Sequence, residues 1–185
     1  MVLSEQLYTA DDVWEMVGDN DKHFELIDGV IFDMSPTGFL HGIVTSNLTI
    51  FLGIYLRENK LGIVTAAETG YKLTDKTVIV PDIAFVRANR VPTEPVEGYL
   101  PLAPDLAVEV MSPSNTAGEM SRKVDLLMQH GTQLIWIVHP TTKAIDVYAK
   151  EDDKVNVNFL KDNDTLIGGT VLPNFNLKLT DLFTD

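Results

Sequence analysis

Two carboxylates interrupt apolar runs that otherwise read as buried β-strands. Asp82 stands within Val78–Val86, and Glu109 stands within Leu106–Met111. An ionised carboxylate in an apolar strand costs free energy unless a cation or hydrogen-bond donors pair with it. The two acids are 27 residues apart, which fits two neighbouring strands joined by a loop. A divalent metal bound between them would compensate the charge of both carboxylates, because hard cations prefer carboxylate oxygens.

The cysteine content narrows the metal that such a pair could bind. None of the 185 residues is cysteine, so disulfides and thiolate metal sites are excluded. Oxygen and imidazole ligands then favour Mg²⁺ or Mn²⁺ over structural zinc. The lack of cysteine also fits a cytoplasmic protein, and the first residues carry no pattern of an export signal. No apolar run suggests a membrane span, so we expect no membrane partner.

Length and charge set further limits. With 45% hydrophobic residues, the chain can bury a sizeable core, and we expect one domain over residues 1–185. The net charge of −13 argues against a generic nucleic-acid binder, which is normally basic. Segment 57–123, with nine acids and eight bases, is the least acidic part. Its bases form either a phosphate-facing patch or ordinary solvated charges: Arg57, Lys60, Lys72, Lys76, Arg87, Arg90, Arg122 and Lys123.

The hydrophobic pattern predicts an α/β fold. A first helix is capped by Thr9 and ends at Gly18, and a hairpin turns at Asp28-Gly29. Apolar periodicity predicts, in order, a helix at His41–Asn59, strands at Gly62–Ala67, Thr77–Val86 and Leu106–Ser112, a helix at Gly118–His130, a strand at Gln133–Val138 and a hairpin of Ile145–Ala149 with Val155–Leu160. Residues 41–138 therefore read as αβββαβ, with hairpins added on both sides.

This order, together with its acids, resembles a known nuclease family. From Phe24 to Phe183 the chain resembles the PD-(D/E)XK nuclease superfamily and, within it, a bacterial family of restriction endonucleases of the Uma type. The motifs that carry the resemblance are Glu25–Gly29, Pro81-Asp82, the run from Pro104 to Ser114 around Glu109, and Lys123 with the downstream strand of Trp136. The resemblance implies a restriction-endonuclease-like core, in which a mixed central sheet is flanked by helices.

The same resemblance implies an activity and a site. It implies hydrolysis of nucleic-acid phosphodiester bonds, with DNA as the expected substrate and Mg²⁺ or Mn²⁺ as the cofactor. Asp82 and Glu109 would bind the metal, and Lys123 would position the attacking water and stabilise developing charge. Superfamily members commonly dimerise, so a homodimer is expected.

The chain departs from the superfamily pattern at Met111. The tripeptide Glu109-Val110-Met111 has methionine where the motif has lysine, and methionine cannot orient water or stabilise negative charge. Lys123 on the next helix is the candidate replacement, a relocation that the resemblance favours. The alternative makes Lys123 an exposed residue paired with Glu119 at i,i+4. Met111 could also mark a degraded site.

Three more residues are outer candidates. Glu25 is a further metal or water ligand, or else lies on the polar face of an alternating strand. His41 is a proton shuttle or phosphate contact, or else an ordinary helix-terminal histidine. Glu68 could add a carboxylate, but the following Thr69-Gly70 suggests a turn.

The sequence is compatible with three functions. The leading hypothesis is a metal-dependent endonuclease. The second is a catalytically inactive nuclease-fold protein that binds nucleic acid or a protein partner, which Met111 and the net acidity favour. The third is a metal-binding structural protein.

Overall fold

A mixed six-stranded sheet lies between two long helices in this computed structural model, which describes residues 7–19, 24–34, 36–113 and 115–183. The helices are α1 (Ala10–Asp19), α2 (Phe39–Asn59), α3 (Ala117–Gln129) and α4 (Leu179–Leu182), with a 3-10 turn at Ala88–Arg90. The strands are β1 (Phe24–Ile27), β2 (Val30–Asp33), β3 (Gly62–Ala66), β4 (Tyr71–Thr74), β5 (Thr77–Ile79), β6 (Ile83–Arg87), β7 (Leu106–Val110), β8 (Leu134–His139), β9 (Ala144–Glu151), β10 (Lys154–Leu160), β11 (Thr165–Ile167) and β12 (Asn176–Lys178).

The large sheet has the strand order β10-β9-β8-β7-β6-β3. Among the pairs that the structure describes in this sheet, only β7 and β8 are parallel. Parallel neighbours need a crossover connection, and α3 supplies it. Every residue of β7 is buried, as expected for a central strand that helices cover on both faces.

Alternation along β7 assigns its side chains to the two helices. Leu106 and Val108 pack in one core cluster with the leucine stripe of α2, and Ala107 packs in another with α3. Because side chains alternate along a strand, Glu109 shares the face of Ala107, which is the face that α3 covers. Strand β7 therefore directs the carboxylate of Glu109 towards α3.

A smaller antiparallel sheet has the order β2-β1-β5-β4. Its β1–β2 hairpin turns at Asp28-Gly29, where φ is 52° and 82°, and this confirms the predicted tight turn. The prediction of one strand over Thr77–Val86 is wrong. The chain leaves the small sheet after β5 and enters the large sheet at β6, because Pro81 has no N–H to continue a ladder.

The other boundaries differ from prediction by smaller amounts. The β4–β5 hairpin, whose first strand was not predicted, is inserted between the first two core strands. The first helix includes Gly18 and ends at Asp19, and α2 begins at Phe39 rather than His41. With the inserted hairpin set aside, the order from α2 to β8 is the predicted αβββαβ, and the β9–β10 hairpin is also present as predicted.

Helix α2 is the one helix among the described residues that is long and apolar enough to cross a membrane, by length and composition only. It has 21 residues, and an 18-residue stretch within it has a mean hydropathy of 1.5. Val44, Leu48, Leu52 and Leu56 nevertheless form a stripe at helical spacing that is buried against the large sheet. The core helix of a globular protein has the same composition, so length and hydropathy alone are weak evidence for a span.

Candidate active site

Five of the six site residues predicted from the sequence line one cleft of about 260 Å³. It opens where the β1–β2 hairpin, the start of α2, the β5–β6 bend, the end of β7 and α3 meet. The predicted residues in its wall are Glu25, His41, Asp82, Glu109 and Lys123. Long-range folding thus brings together side chains that span almost 100 positions of sequence.

Asp82 lies in the bend between β5 and β6 rather than inside a strand, which corrects its predicted position. The N–H of Val110 donates to Asp82 Oδ2 over 2.7 Å and so ties the bend to the end of β7. Ile83 pairs with Val108 in the antiparallel ladder. If the antiparallel pairing is continued by one residue, Asp82 lies opposite Glu109. This is the arrangement expected if both carboxylates bind one metal.

Glu109 is buried, with 6% of its surface exposed. Its Oε2 accepts a hydrogen bond from Lys123, whereas its Oε1 is buried without a partner among the described residues. Burial raises the pKa of Glu109 to about 8, against the lowering influence of Lys123 and with smaller raising influences from Glu25 and Asp82. The cleft therefore holds a carboxylate oxygen whose negative charge is incompletely compensated.

Lys123 reaches this carboxylate from α3. Its Nζ lies 2.8 Å from Glu109 Oε2 and 2.9 Å from Glu25 Oε1, and only 7% of the residue is exposed. Burial opposes its charge, but the two carboxylates together hold the pKa of Lys123 above its usual value, so the ammonium stays protonated. The alternative of an exposed lysine paired with Glu119 is wrong, because Glu119 instead completes a capping box with Thr116.

Glu25 holds the lysine from the opposite side of the cleft. Its Oε1 accepts from Lys123 and also from the N–H of Val80, over 2.9 Å. All four residues of β1 are buried. The alternative of a polar outer face on an alternating strand is therefore wrong, since β1 has no exposed face at Glu25.

His41 contacts the other carboxylate. Its Nε2 lies 3.2 Å from Asp82 Oδ2, and its Nδ1 lies 3.4 Å from Thr45 Oγ1. The imidazole is buried in the first turn of α2. This helix-terminal histidine is therefore placed to orient Asp82.

The sixth candidate, Glu68, and Met111, which replaces the motif lysine, do not line this cleft. Glu68 is exposed after β3, with a φ of 75°. Met111 is partly buried in the core cluster of α3. Positions 109 and 111 lie on the same face of the sheet, and α3 packs on that face. Lys123 of α3 therefore reaches the space that a lysine at position 111 would occupy.

Most of the bases considered as a phosphate-facing patch do not line the cleft. Lys72 pairs with Asp75 and Asp11, and Asp105 holds both Arg87 and Arg90. Of the eight bases, the two that line the cleft are adjacent in sequence, Arg122 and Lys123.

The sequence indicated Arg122 only as one of eight bases that could form a phosphate-facing patch. Arg122 donates from Nη2 to Asp28 Oδ2 over 2.7 Å and links α3 to the tip of the β1–β2 hairpin at the rim of the cleft. Its position next to Lys123 in the sequence could have indicated that it lies near the cleft. Its contact with Asp28 could not be predicted in this way, because the two residues are far apart in sequence.

The donor set fits a hard divalent cation bound by few protein ligands. Within the described ranges, no group of three or more histidine or acidic side chains is arranged to hold a metal. Mg²⁺, however, usually keeps several waters and binds through one or two carboxylates plus substrate phosphate. The orphaned Oε1 of Glu109, beside Asp82, supplies that kind of site.

Comparisons with known proteins agree with this architecture. The family model described as "Uma2: Putative restriction endonuclease" matches residues 10–180. A crystal structure from Anabaena variabilis, titled as a putative nuclease of DUF820, superposes with a TM-score of 0.82 at 19% identity, over 95% of this chain and 97% of that one. At that identity the likeness shows the fold, and it confirms the predicted mixed α/β class. A search of curated proteins found no match.

Proposed function

We propose that this chain, which belongs to the Uma2 restriction endonuclease family, is a divalent-metal-dependent endonuclease that acts on DNA. Family membership supports a nuclease, that is, a hydrolase of phosphodiester bonds. The observation that carries the finer proposal is the buried, incompletely compensated carboxylate of Glu109 beside Asp82 and Lys123.

Asp82 and Glu109 would hold Mg²⁺ or Mn²⁺. When bound, the cation supplies Lewis-acid stabilisation of negative charge on the phosphate. The orphaned oxygen of Glu109 offers a lone pair that no described donor uses. Asp82 is oriented from two sides, by the Val110 N–H and by His41, so its carboxylate is fixed before any ligand arrives.

Lys123 would act on the phosphate and the water. An ammonium has three N–H donors, and the contacts to Glu109 and Glu25 engage two of them. The third can donate to a phosphate oxygen, where charge develops in the transition state, or hold the attacking water. Glu25 is a positioning residue in this scheme, because it touches Lys123 rather than the reacting atoms.

Three wider features belong to the same proposal. DNA is proposed as the substrate because the superfamily resemblance points to it. A homodimer is proposed on the same ground, since two sites would address two strands. A cytoplasmic location is proposed because the chain has no cysteine to gain from an oxidising compartment.

One rival function has its own support. Both acids that hold Lys123 also neutralise it, Met111 replaces the motif lysine, and the net charge is −13. These observations favour a catalytically inactive protein that uses the nuclease fold to bind nucleic acid or a protein partner. Such a protein would bind without cutting.

The test is a substrate panel at low salt. Supercoiled plasmid, single-stranded DNA and duplex RNA are incubated with protein plus Mg²⁺, Mn²⁺ or EDTA. Metal-dependent cutting of DNA that EDTA stops supports the proposal. Binding without cutting, with folded protein and either metal, contradicts it and supports the inactive rival.

A further inference from the structure

Strand β10 leaves one edge of the large sheet open. In the part of the chain that the structure describes, β9 is the only strand that pairs with it. The seven-residue ladder to β9 runs without a register shift, so no bulge twists the edge away. Strand β10 contains no proline, and its single charged residue, Lys154, stands at its start. An edge of this kind is a template for pairing with another strand.

The same strand exposes an apolar row. Val155, Val157 and Phe159 alternate along β10 and are 44%, 41% and 74% exposed. Alternation sets them on one face of the sheet, opposite Lys150, Tyr148 and Asp146 of β9. Beside this row, a groove of about 350 Å³ runs along α3, lined in part by Val124, Met128, Val155 and Val157.

We propose that β10 pairs antiparallel with β10 of a second copy of this chain, about a two-fold axis at Val157. The register sets Val157 opposite itself and Val155 opposite Phe159. Phe159 of each copy then reaches the edge of the other copy's groove, which Val155 lines. The result is a continuous twelve-stranded sheet across the dimer.

The charged residues next to the two ends of β10 favour pairing with a second copy of the chain, and they favour this register. The same pairing sets Asp153 opposite Lys161, once at each end of the interface. A shift by two residues in either direction sets Asp153 opposite Phe159, or Lys161 opposite Val155, and so puts a charge against an apolar side chain. On the other face, Asn156 lies opposite Asn158, and their amides can hydrogen-bond. The strand is therefore complementary to its own copy, as an isologous interface requires.

This interface lies at the far edge of the large sheet, beyond β8 and β9 from the cleft between β7 and α3. The inference does not depend on nuclease activity, so an inactive protein would still be expected to dimerise. Failure of the interface would equally leave the active-site proposal standing.

The first test measures association. Sedimentation equilibrium on the full chain should show a dimer, and Phe159→Lys should weaken it at least about 100-fold, because two aromatic side chains per dimer lose their burial. Ile167→Lys is the matched control, since Ile167 is also exposed and apolar but lies on β11. A monomer at high micromolar concentration overturns the proposal. Unchanged association of Phe159→Lys does so as well.

The second test measures the register. The chain has no cysteine, so Val157→Cys introduces a single thiol. Mild oxidation should cross-link it to its copy, because directly opposite residues have the separation a disulfide needs. In Lys154→Cys the two thiols would be about 20 Å apart, so little cross-linking is expected. Equal cross-linking of both variants, or none of Val157→Cys in a dimer, overturns the proposal.

Discussion

Lys123 Nζ lies 2.8 Å from Glu109 Oε2, although the two residues belong to different elements, 14 positions apart. The helix that carries the lysine is the crossover between two parallel strands, and it covers the face of β7 from which Glu109 projects. The contact places a cation beside the acid even though the strand carries Met111 at the motif position. It is the basis for the first two predictions.

Replacing Lys123 by methionine should lower both activity and stability. The apolar side chain leaves Glu109 and Glu25 buried without their cation, and breaking a buried ion pair in this way costs about 3–5 kcal/mol. The loss should grow with pH, because at acid pH the carboxyls can protonate. Urea unfolding at pH 6 and pH 8 measures it, with the exposed Lys76→Met as control. A loss no larger than that of the control would contradict the buried pair.

The raised pKa of Glu109 predicts a pH-dependent stability in the absence of metal. A carboxyl with a folded pKa of about 8 and an unfolded value of 4.5 binds its proton more tightly when folded. Its contribution to the free energy of unfolding therefore falls as pH rises between those values. Thermal unfolding in EDTA, from pH 5 to 8.5, should show this slope reduced in Glu109→Gln. An identical slope in the variant would refute the assignment.

Bound metal should offset the fall in stability that occurs as the pH rises. Ligands bind a cation in their deprotonated form, so Mg²⁺ or Mn²⁺ should raise the Tm more at pH 8 than at pH 6. The Glu109→Gln variant should lose most of the increase at both pH values. A rise that the variant retains in full would place metal binding elsewhere on the chain.

His41 should affect metal affinity through Asp82. Its Nε2 lies 3.2 Å from the carboxylate, and partners that orient a metal ligand typically change affinity about 10–100-fold. His41→Ala should weaken Mn²⁺ binding by that factor, as measured by calorimetry. Thr45→Val, which removes only the longer 3.4 Å contact, should have a smaller effect. Equal effects of the two variants would argue against orientation of Asp82.

Arg122 should contribute to DNA binding rather than to chemistry. It lines the cleft at its rim and is half-exposed, paired with Asp28. Arg122→Ala should raise KM with little change in kcat and lower the salt slope of binding by about one, as expected for one lost phosphate contact. Asp28→Asn is the control, because it removes the partner acid but keeps the arginine, and asparagine tolerates the positive φ. A variant with unchanged KM would remove Arg122 from the interface.

The sequence singled out side chains that the fold brings into one cleft, but it did not predict how they contact one another. Val108 and Val110 flank Glu109 in a strand without turn signals, so local pattern was enough to place it. Asp82 was misplaced because the apolar runs on both sides of Pro81-Asp82 hid the point where the chain passes from one sheet to the other. Local periodicity describes each strand but not which sheet it joins.

The ion pairs of the cleft lay beyond local reasoning. Glu25 is 98 positions from Lys123, and their contact depends on how the small sheet lies against α3. Helical spacing left Lys123 equally suited to an exposed pair with Glu119. Only the packing of α3 on the sheet decides between the two, because it buries the face that bears Lys123.

Whether Glu109 holds the metal for cleavage is tested by comparing DNA cleavage by wild type and Glu109→Gln, prepared in parallel and assayed with Mn²⁺ at low salt. Glutamine keeps the size of the side chain but removes the charge that would hold the metal. We expect metal-dependent cutting by wild type and a loss of at least about 100-fold in the variant, because this carboxylate would supply much of the metal's binding energy. Equal cutting by both proteins would contradict this expectation.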